Sequence, residues 1–253
     1  MTEATGESFR RIKIGCCGFA AAQKRYAELF PVIEVQQTFY QPPQLPTLQR
    51  WRETFPADFE FTLKAWQLIT HEGWSKTYSR LKISLTEQER REAGFFKATS
   101  IVHQGWETTY ECAVALQAQL VLFQCPASFK PTKVNLERMR SFFSGIERGP
   151  LKLLWEPRGD WPIQLVTALC QELNLIHAVD PFVQASVTPE LTYYRLHGGE
   201  GYRHDYDDEE LKKLITLIPA QGESYVMFNN INMLENARRF EELLKTELPE
   251  QDA

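Results

Sequence analysis

Arg195 and His197 sit two residues apart in the stretch YYRLHG (193–198), which otherwise reads as a buried strand. Alternate residues of a strand point to one face, so the two should project together. Each is costly to bury without a partner. Other strand-like runs repeat the pattern near their C-terminal ends. Glu34, Gln36 and Thr38 share parity in VIEVQQTFY, as do Thr62 and Lys64 in FEFTLKA. Gln124 lies near the end of LVLFQCP, Glu156 and Arg158 share parity in LLWEPRG, Asp180 closes IHAVDPF, and Asn229 and Asn230 end SYVMFNN. Pairing charges in low dielectric seldom improves on an apolar core. So many polar strand ends therefore point to a shared pocket. The competing reading is a plug of mutually paired charges.

Three kinds of chemistry fit these residues. Lys64, Arg158 and Arg195 are cations of the type that binds phosphate or carboxylate, unless Glu34, Glu156 and Asp180 neutralise them. His71, at the close of ITH, and His197 titrate nearest neutrality, and with Glu156 they are the candidate acid/base groups. Glu34 and Glu156 form a glycosidase-like pair if their separation suits. Lys64 would serve as a Schiff-base lysine if desolvated, although a salt bridge to Glu34 or Glu156 is the simpler expectation. A divalent metal would draw on Glu156, Asp180, His197, His71 and Glu34. Cations crowd that rim, however, and no H-x-H or H-x-x-x-H spacing occurs. No metal or other cofactor is expected. Cys16 and Cys17 end the first strand with no histidine at informative spacing, so a nucleophilic role is not expected.

The elements that must position these groups alternate along the chain. RIKIGCCG, VIEVQQTFY, FEFTLKA, LVLFQCP, LKLLWEPRG, IHAVDPF, YYRLHG and SYVMFNN read as strands. Helical patterns lie between most of them: AAAQKRYAELF, TLQRWRETF, TTYECAVALQAQ, KVNLERMRSFFSGI, PIQLVTALCQELN, DEELKKLITLI and MLENARRFEELLK. In KVNLERMRSFFSGI, Val134, Met139, Phe142, Phe143 and Ile146 are spaced for one buried face. QASVTPELT, between the sixth and seventh strands, is too short for a full helix. About eight strands in 253 residues fit a single α/β domain, a (β/α) TIM-like barrel. An open doubly wound sheet is the competitor, but neither a G-x-G-x-x-G after the first strand nor a P-loop is present.

A long insertion follows the third strand, roughly residues 66–107, with a capping-box signal at Thr86 and Glu89. It carries Trp66, Trp74, Tyr78, Phe95, Phe96 and Trp106, and is expected to cover part of the barrel mouth as a lid or side wall. Packing on the outer helices is the alternative. Lys76, Arg80, Lys82, Arg90, Arg91 and Lys97 interleave with those aromatics, so a stacked single-stranded nucleic acid stays in view. The barrel domain should span 11–246, with loose tails at 1–10 and 247–253.

Bulk properties bound the function further. A net charge of -5 disfavours broad nucleic-acid coating but not a local basic groove. Five cysteines with no C-x-x-C pair read as reduced thiols of a cytoplasmic protein. The polar start MTEATGESFRR is not a signal peptide, no apolar run is long enough to span a bilayer, and no membrane partner is expected.

IEVQQTFYQPP, FEFTLKAWQLITH, VLFQCPASF, EPRGDW, TYYRLHG and YVMFNN, in order from about residue 12 to about 240, resemble successive motifs of the domain-of-unknown-function-72 (YecE-like) family. The resemblance implies a TIM-barrel-like fold and no established reaction. It also implies site positions at Glu34, Thr38, Tyr40, Lys64, His71, Gln124, Glu156, Arg158, Asp180, Arg195, His197 and Asn229. The chain departs from the family pattern at Gly18-Phe19, where Gly-Trp is usual, and at Glu156-Pro157-Arg158, where Glu-Phe-Arg is usual. The expectation is an enzyme of unassigned reaction that binds a small anionic ligand at the C-terminal mouth, with acid/base or hydrolytic chemistry. The alternatives are a nucleic-acid-binding protein or nuclease reading backbone phosphates, and a non-catalytic binding or scaffold barrel.

Overall fold

The computed structural model describes residues 10–199 and 201–247. Of the tails read from the sequence, 1–9 and 248–253 lie outside the described residues. Arg10 is described, and its guanidinium donates to the carbonyls of Ile215 (2.8 Å) and Ile218 (3.1 Å).

Eight parallel strands close into a barrel, each paired with the next and the last with the first. They are β1 (Arg11–Cys16), β2 (Val32–Val35), β3 (Glu60–Lys64), β4 (Leu120–Gln124), β5 (Lys152–Glu156), β6 (Leu175–Val179), β7 (Leu191–Leu196) and β8 (Glu223–Phe228). The helices are α1 (Gln23–Leu29), α2 (Gln37–Tyr40), α3 (Leu45–Thr54), α4 (Gln67–Thr70), α5 (Glu87–Glu92), α6 (Ser100–Leu116), α7 (Lys133–Gly145), α8 (Ile163–Leu173), α9 (Asp208–Leu217) and α10 (Met233–Glu247). A 3-10 turn covers Lys76–Arg80.

The strands are apolar on both faces because both are covered. Outward residues such as Ile33, Phe61, Val121, Trp155 and Val226 pack in the large core under the helices. Inward residues Val32, Leu122, Leu154, Ala178, Tyr193 and Met227 fill a smaller second core inside the barrel. Below that filling, the N-terminal end is closed by Lys13, which reaches Glu60 at 2.5 Å and Glu223 at 2.7 Å, while the Tyr225 hydroxyl donates to Glu60 at 2.7 Å. Above it, inward polar residues take over at the C-terminal end.

Local signals set most helix boundaries. Thr86 and Glu89 form the expected reciprocal capping box of α5, and Asp207 with Glu210 does the same for α9. Asn174 ends α8 in a left-handed conformation, a role asparagine tolerates. No helix links β6 to β7. Instead the Thr188 hydroxyl accepts from the His177 amide, and the Val187 amide donates to His177 Nδ1, fastening the crossover to β6.

Three local expectations differ from the fold. VIEVQQTFY is strand only through Val35, where pairing with β3 ends. Phe39 and Gln41 then donate backwards to Gln36 and Gln37, so Thr38 and Tyr40 stand on α2 rather than on a strand. Helix α6 starts at Ser100, eight residues earlier than TTYECAVALQAQ implied. Val134, read as a core residue, is exposed in the first turn of α7.

Between β3 and β4 the chain forms α4, the 3-10 turn, α5 and α6. Trp66, Tyr78, Phe95, Phe96 and Trp106 are buried, whereas Trp74 is 61% exposed. Phe96 packs against Phe123, Phe129, Phe142 and Phe143. Gly94, Phe95 and Phe96 are consecutive left-handed residues with φ of 81°, 55° and 52°. Such a conformation costs a bulky residue about 1–2 kcal/mol. It is held because the Gly94 and Phe96 amides donate to Leu68 and Ile69, at 2.8 and 2.9 Å.

Candidate functional site

Arg195 stands at the centre of the mouth. It is the penultimate residue of β7, points inward and is fully buried. Its Nε and Nη2 donate to the two oxygens of Glu34 at 2.9 and 2.8 Å, and Nη1 donates to Glu156 Oε2 at 2.5 Å. Cys17 Sγ lies 3.7 Å from Nη2. Glu34, inward on β2, also accepts from the Tyr193 hydroxyl (2.9 Å) and from the Gln36 amide. The Tyr193 hydroxyl is in turn 2.8 Å from that of Thr62. One guanidinium thus bridges the two carboxylates and pairs with both.

Charge balance follows. Burial would raise the Glu156 carboxyl, but Arg195, the His197 hydrogen bond and Arg158 together hold it well below the usual range. Burial disfavours the Arg195 cation, yet Glu156 and Glu34 outweigh that and keep it protonated. Burial and the Glu34 charge push the Cys17 thiol far up, so no thiolate forms there.

A second layer lies just past the strand ends. His197 Nε2 is 3.0 Å from Glu156 Oε1, 3.3 Å from Arg195 Nη1 and 2.5 Å from Arg158 Nη2, while Nδ1 is 2.9 Å from the Asn229 amide. Burial lowers the His197 pKa against the pull of Glu156, so the ring is neutral near pH 7. With its proton on Nε2 it donates to Glu156; with the proton on Nδ1 it turns the Asn229 amide oxygen inward and accepts from Arg158. Asp180, raised by burial, accepts from the backbone amides of Phe182 and His197 at 3.0 and 3.3 Å. Arg158 is 38% exposed. Its Nε lies 2.7 Å from Glu156 Oε1, yet is misaligned and makes no hydrogen bond.

Lys64, the last residue of β3, is 5% exposed. Its Nζ donates to Gln124 Oε1 and sits 3.7 Å from the centre of the Phe39 ring. Gln124 Nε2 donates to Glu156 Oε1 at 3.2 Å. The salt bridge expected between Lys64 and Glu34 or Glu156 does not form. Burial, then the Arg195 charge, brings the Lys64 pKa down to about 7.

The remaining sequence candidates lie around this group. The Thr38 hydroxyl donates to the backbone, with the Val35 and Lys64 carbonyls at 2.9 and 2.7 Å, and fixes α2 against β3. The Tyr40 carbonyl accepts from Gln67 Nε2 at 2.8 Å, and its ring carries the Arg80 guanidinium at 4.5 Å. His71 is buried, with Nδ1 2.8 Å from the Thr70 hydroxyl and its ring edge-on to Phe39. Burial and the nearby Lys64 hold its pKa at about 3, so it stays neutral and outside the carboxylate–guanidinium network.

Among the described residues no three His, Cys, Asp or Glu side chains converge as metal ligands would. A cleft of about 440 Å³ lies at the other end of the strands, beside Asp58, Glu60 and Gln119. Tyr193 escaped the sequence reading although it shares parity with Arg195 and His197. The basal group of Lys13, Glu60, Glu223 and Tyr225 was missed too, because it sits at strand starts.

No helix among the described residues is long and apolar enough to cross a membrane. No curated protein matches the chain. In fold the chain is similar to a DUF72 family protein from Enterococcus faecalis V583 (21% identity, TM-score 0.68, 93% of this chain and 98% of that one). It is likewise similar to a DUF72 family protein from Thermotoga maritima MSB8 (21%, 0.66, 93% and 99%). A third likeness is to D-psicose 3-epimerase, solved in the presence of D-fructose (12%, 0.57, 92% and 98%). The family model described as protein of unknown function DUF72 matches residues 20–253. The closed eight-stranded barrel, the ordered motifs at its mouth and that match over nearly the whole length agree: the chain belongs to the DUF72 family.

Proposed function

We propose that the barrel mouth binds a small anionic molecule bearing a phosphate or carboxylate, and that the protein is an enzyme performing acid/base chemistry on it. The observation that carries this is Arg158. It is a guanidinium with a 38% exposed side chain that faces Glu156 through Nε and has no hydrogen bond from Nη1 among the described residues, beside the fully paired Arg195. A plug of mutually paired charges would leave no such guanidinium facing the rim. Arg158 supplies the free donors of an anion clamp. Neutral His197, between Glu156 and Asn229, is the proton carrier. Gln124, Asn229 and Asp180 are half-buried at the same rim and orient the ligand. Glu34, His71, Thr38 and Tyr40 support the site from behind it. The likeness to D-psicose 3-epimerase, at 12% identity, adds only that the same fold carries small-molecule chemistry elsewhere.

Inorganic phosphate tests this directly. Calorimetric titration at low salt should show saturable binding, and Arg158→Gln should weaken it by about tenfold or more, the value of one charge-assisted hydrogen bond. Unfolding midpoints without phosphate should match. No heat and no thermal shift with phosphate would remove the reading.

A second reading has its own observation. Trp74 is 61% exposed in the same segment as the exposed cations Lys76, Arg80 and Lys82. That pairing suits a stacked base and its phosphates. Single-strand oligonucleotide binding that falls steeply with salt and is lost in Trp74→Ala would favour it. No binding at low salt would end it.

A further inference from the structure

We propose that Lys64 is a nucleophile that forms an imine with the carbonyl carbon of the bound molecule, an aldehyde or ketone that also bears a phosphate or carboxylate. The anion half of this statement rests on the reading above; the imine half stands on the surroundings of Lys64 itself.

Lys64 differs from the two guanidiniums of the rim. Arg195 is paired with Glu34 and Glu156, and Arg158 stands within ion-pair distance of Glu156. Lys64 has no carboxylate partner among the described residues. Its Nζ is given one acceptor, Gln124 Oε1, and one aromatic face, Phe39. The direction of the Gln124 amide is fixed, because its Nε2 faces Glu156 Oε1 at 3.2 Å. The oxygen is therefore the end offered to Lys64.

A buried ammonium has three N–H groups to satisfy, whereas a neutral amine placed here needs little more than the one acceptor it has, and keeps its lone pair. The Phe39 ring favours the cation somewhat, but it is a weak replacement for a carboxylate. The groups facing Lys64 come from several elements: Arg195 on β7, Glu156 on β5, Glu34 on β2, Cys17 after β1 and His71 after α4. Burial and Arg195 outweigh the two carboxylates and leave the amine half-deprotonated at about pH 7. A lysine desolvated in this way is the usual form of a Schiff-base residue.

The proposed approach is from the mouth, the side on which Lys64 ends β3. Gln124, the side chain hydrogen-bonded to Nζ, is itself half-buried at the rim. The Nζ lone pair attacks the carbonyl carbon and the C–N bond forms. The carbonyl π electrons move to oxygen, which takes a proton from nitrogen. The remaining N–H proton then passes to that oxygen as the C–O bond breaks, which releases water and leaves C=N. Amine and carbonyl give imine and water, and no oxidant or reductant is required.

Reductive trapping tests the assignment. The protein is incubated at pH 7 with glyceraldehyde 3-phosphate and sodium cyanoborohydride, whose hydride reduces an imine to a stable secondary amine. Peptide mapping by mass spectrometry then compares Lys64 with the other lysines. Lys64 should be labelled about tenfold or more faster than surface lysines, which are almost wholly protonated at that pH. Raising the pH to 9 should speed the surface lysines far more than Lys64. Unphosphorylated glyceraldehyde should label Lys64 more slowly, and inorganic phosphate should protect it. Lys64→Met should lose that label alone.

If glyceraldehyde labels Lys64 equally well and phosphate does not protect, the imine stands and the anion reading falls. If phosphate binds but Lys64 is labelled no faster than surface lysines, the imine is overturned and the anion reading survives. Mapping of the wild-type chain decides both, whatever the stability of the variant.

Discussion

Arg195 grips Glu34 through two parallel hydrogen bonds, Nε to Oε2 at 2.9 Å and Nη2 to Oε1 at 2.8 Å, with neither side chain open to solvent. Removing one member strands the other. Arg195→Met leaves both Glu34 and Glu156 without their main cation, and a broken buried pair typically costs about 3–5 kcal/mol. Urea unfolding should show at least that loss for Arg195→Met. Glu34→Gln combined with Arg195→Met should cost less than the two single changes summed. A single variant within about 1 kcal/mol of wild type would contradict this picture.

His177 predicts an acid limb of stability. It is 1% exposed, and burial lowers its pKa from 6.5 to about 4. Between those values the unfolded chain holds a proton that the folded chain excludes. Stability is therefore full above pH 6.5 and drains away as pH falls toward 4, by on the order of 3 kcal/mol. His177→Gln should be weaker at pH 7.5, since the Val187 amide loses its acceptor, but should show a shallower slope between pH 6.5 and 4. Denaturant midpoints across that range check it. An unchanged slope would assign the acid limb to other groups.

Gly94 and Gly145 make a matched pair. A Cβ on Gly94 would lie 2.3 Å from the His71 backbone, and its φ of +81° strains any other residue. Gly94→Ala should destabilise by about 2 kcal/mol or more. A Cβ on Gly145, the last residue of α7, meets nothing within 4 Å. Gly145→Ala should sit within about 0.5 kcal/mol of wild type, or above it. Thermal melts of the two variants side by side decide it.

Period-2 alternation made the barrel and most of its mouth legible. Lys64, Glu156, Arg195 and Glu34 lie inward as their parity required, because a paired strand leaves each side chain only two directions. The same rule misplaced Thr38 and Tyr40. The alternation in VIEVQQTFY continues past Val35, but pairing with β3 does not, and local helical hydrogen bonds take the chain over. Val134 fits the helical period, yet it falls in the first turn of α7, beyond the reach of the barrel wall. From the sequence, a salt bridge to Glu34 or Glu156 is the simpler expectation for Lys64. Nothing in the order of residues revealed that one arginine would occupy both carboxylates and leave the lysine to an amide.

The ion pairs that close the two ends of the barrel differ in what water can reach. At the base, the side chains of Lys13, Glu60 and Glu223 are 23%, 35% and 16% exposed; at the mouth, those of Arg195 and Glu34 are at 1% and 0%. Dissolved ions screen the first group and scarcely touch the second. Ionic strength is therefore a handle on the exposed charges, the basal group and Arg158 at the rim, while the buried Arg195–Glu34 pair keeps its strength in dilute buffer and in brine alike.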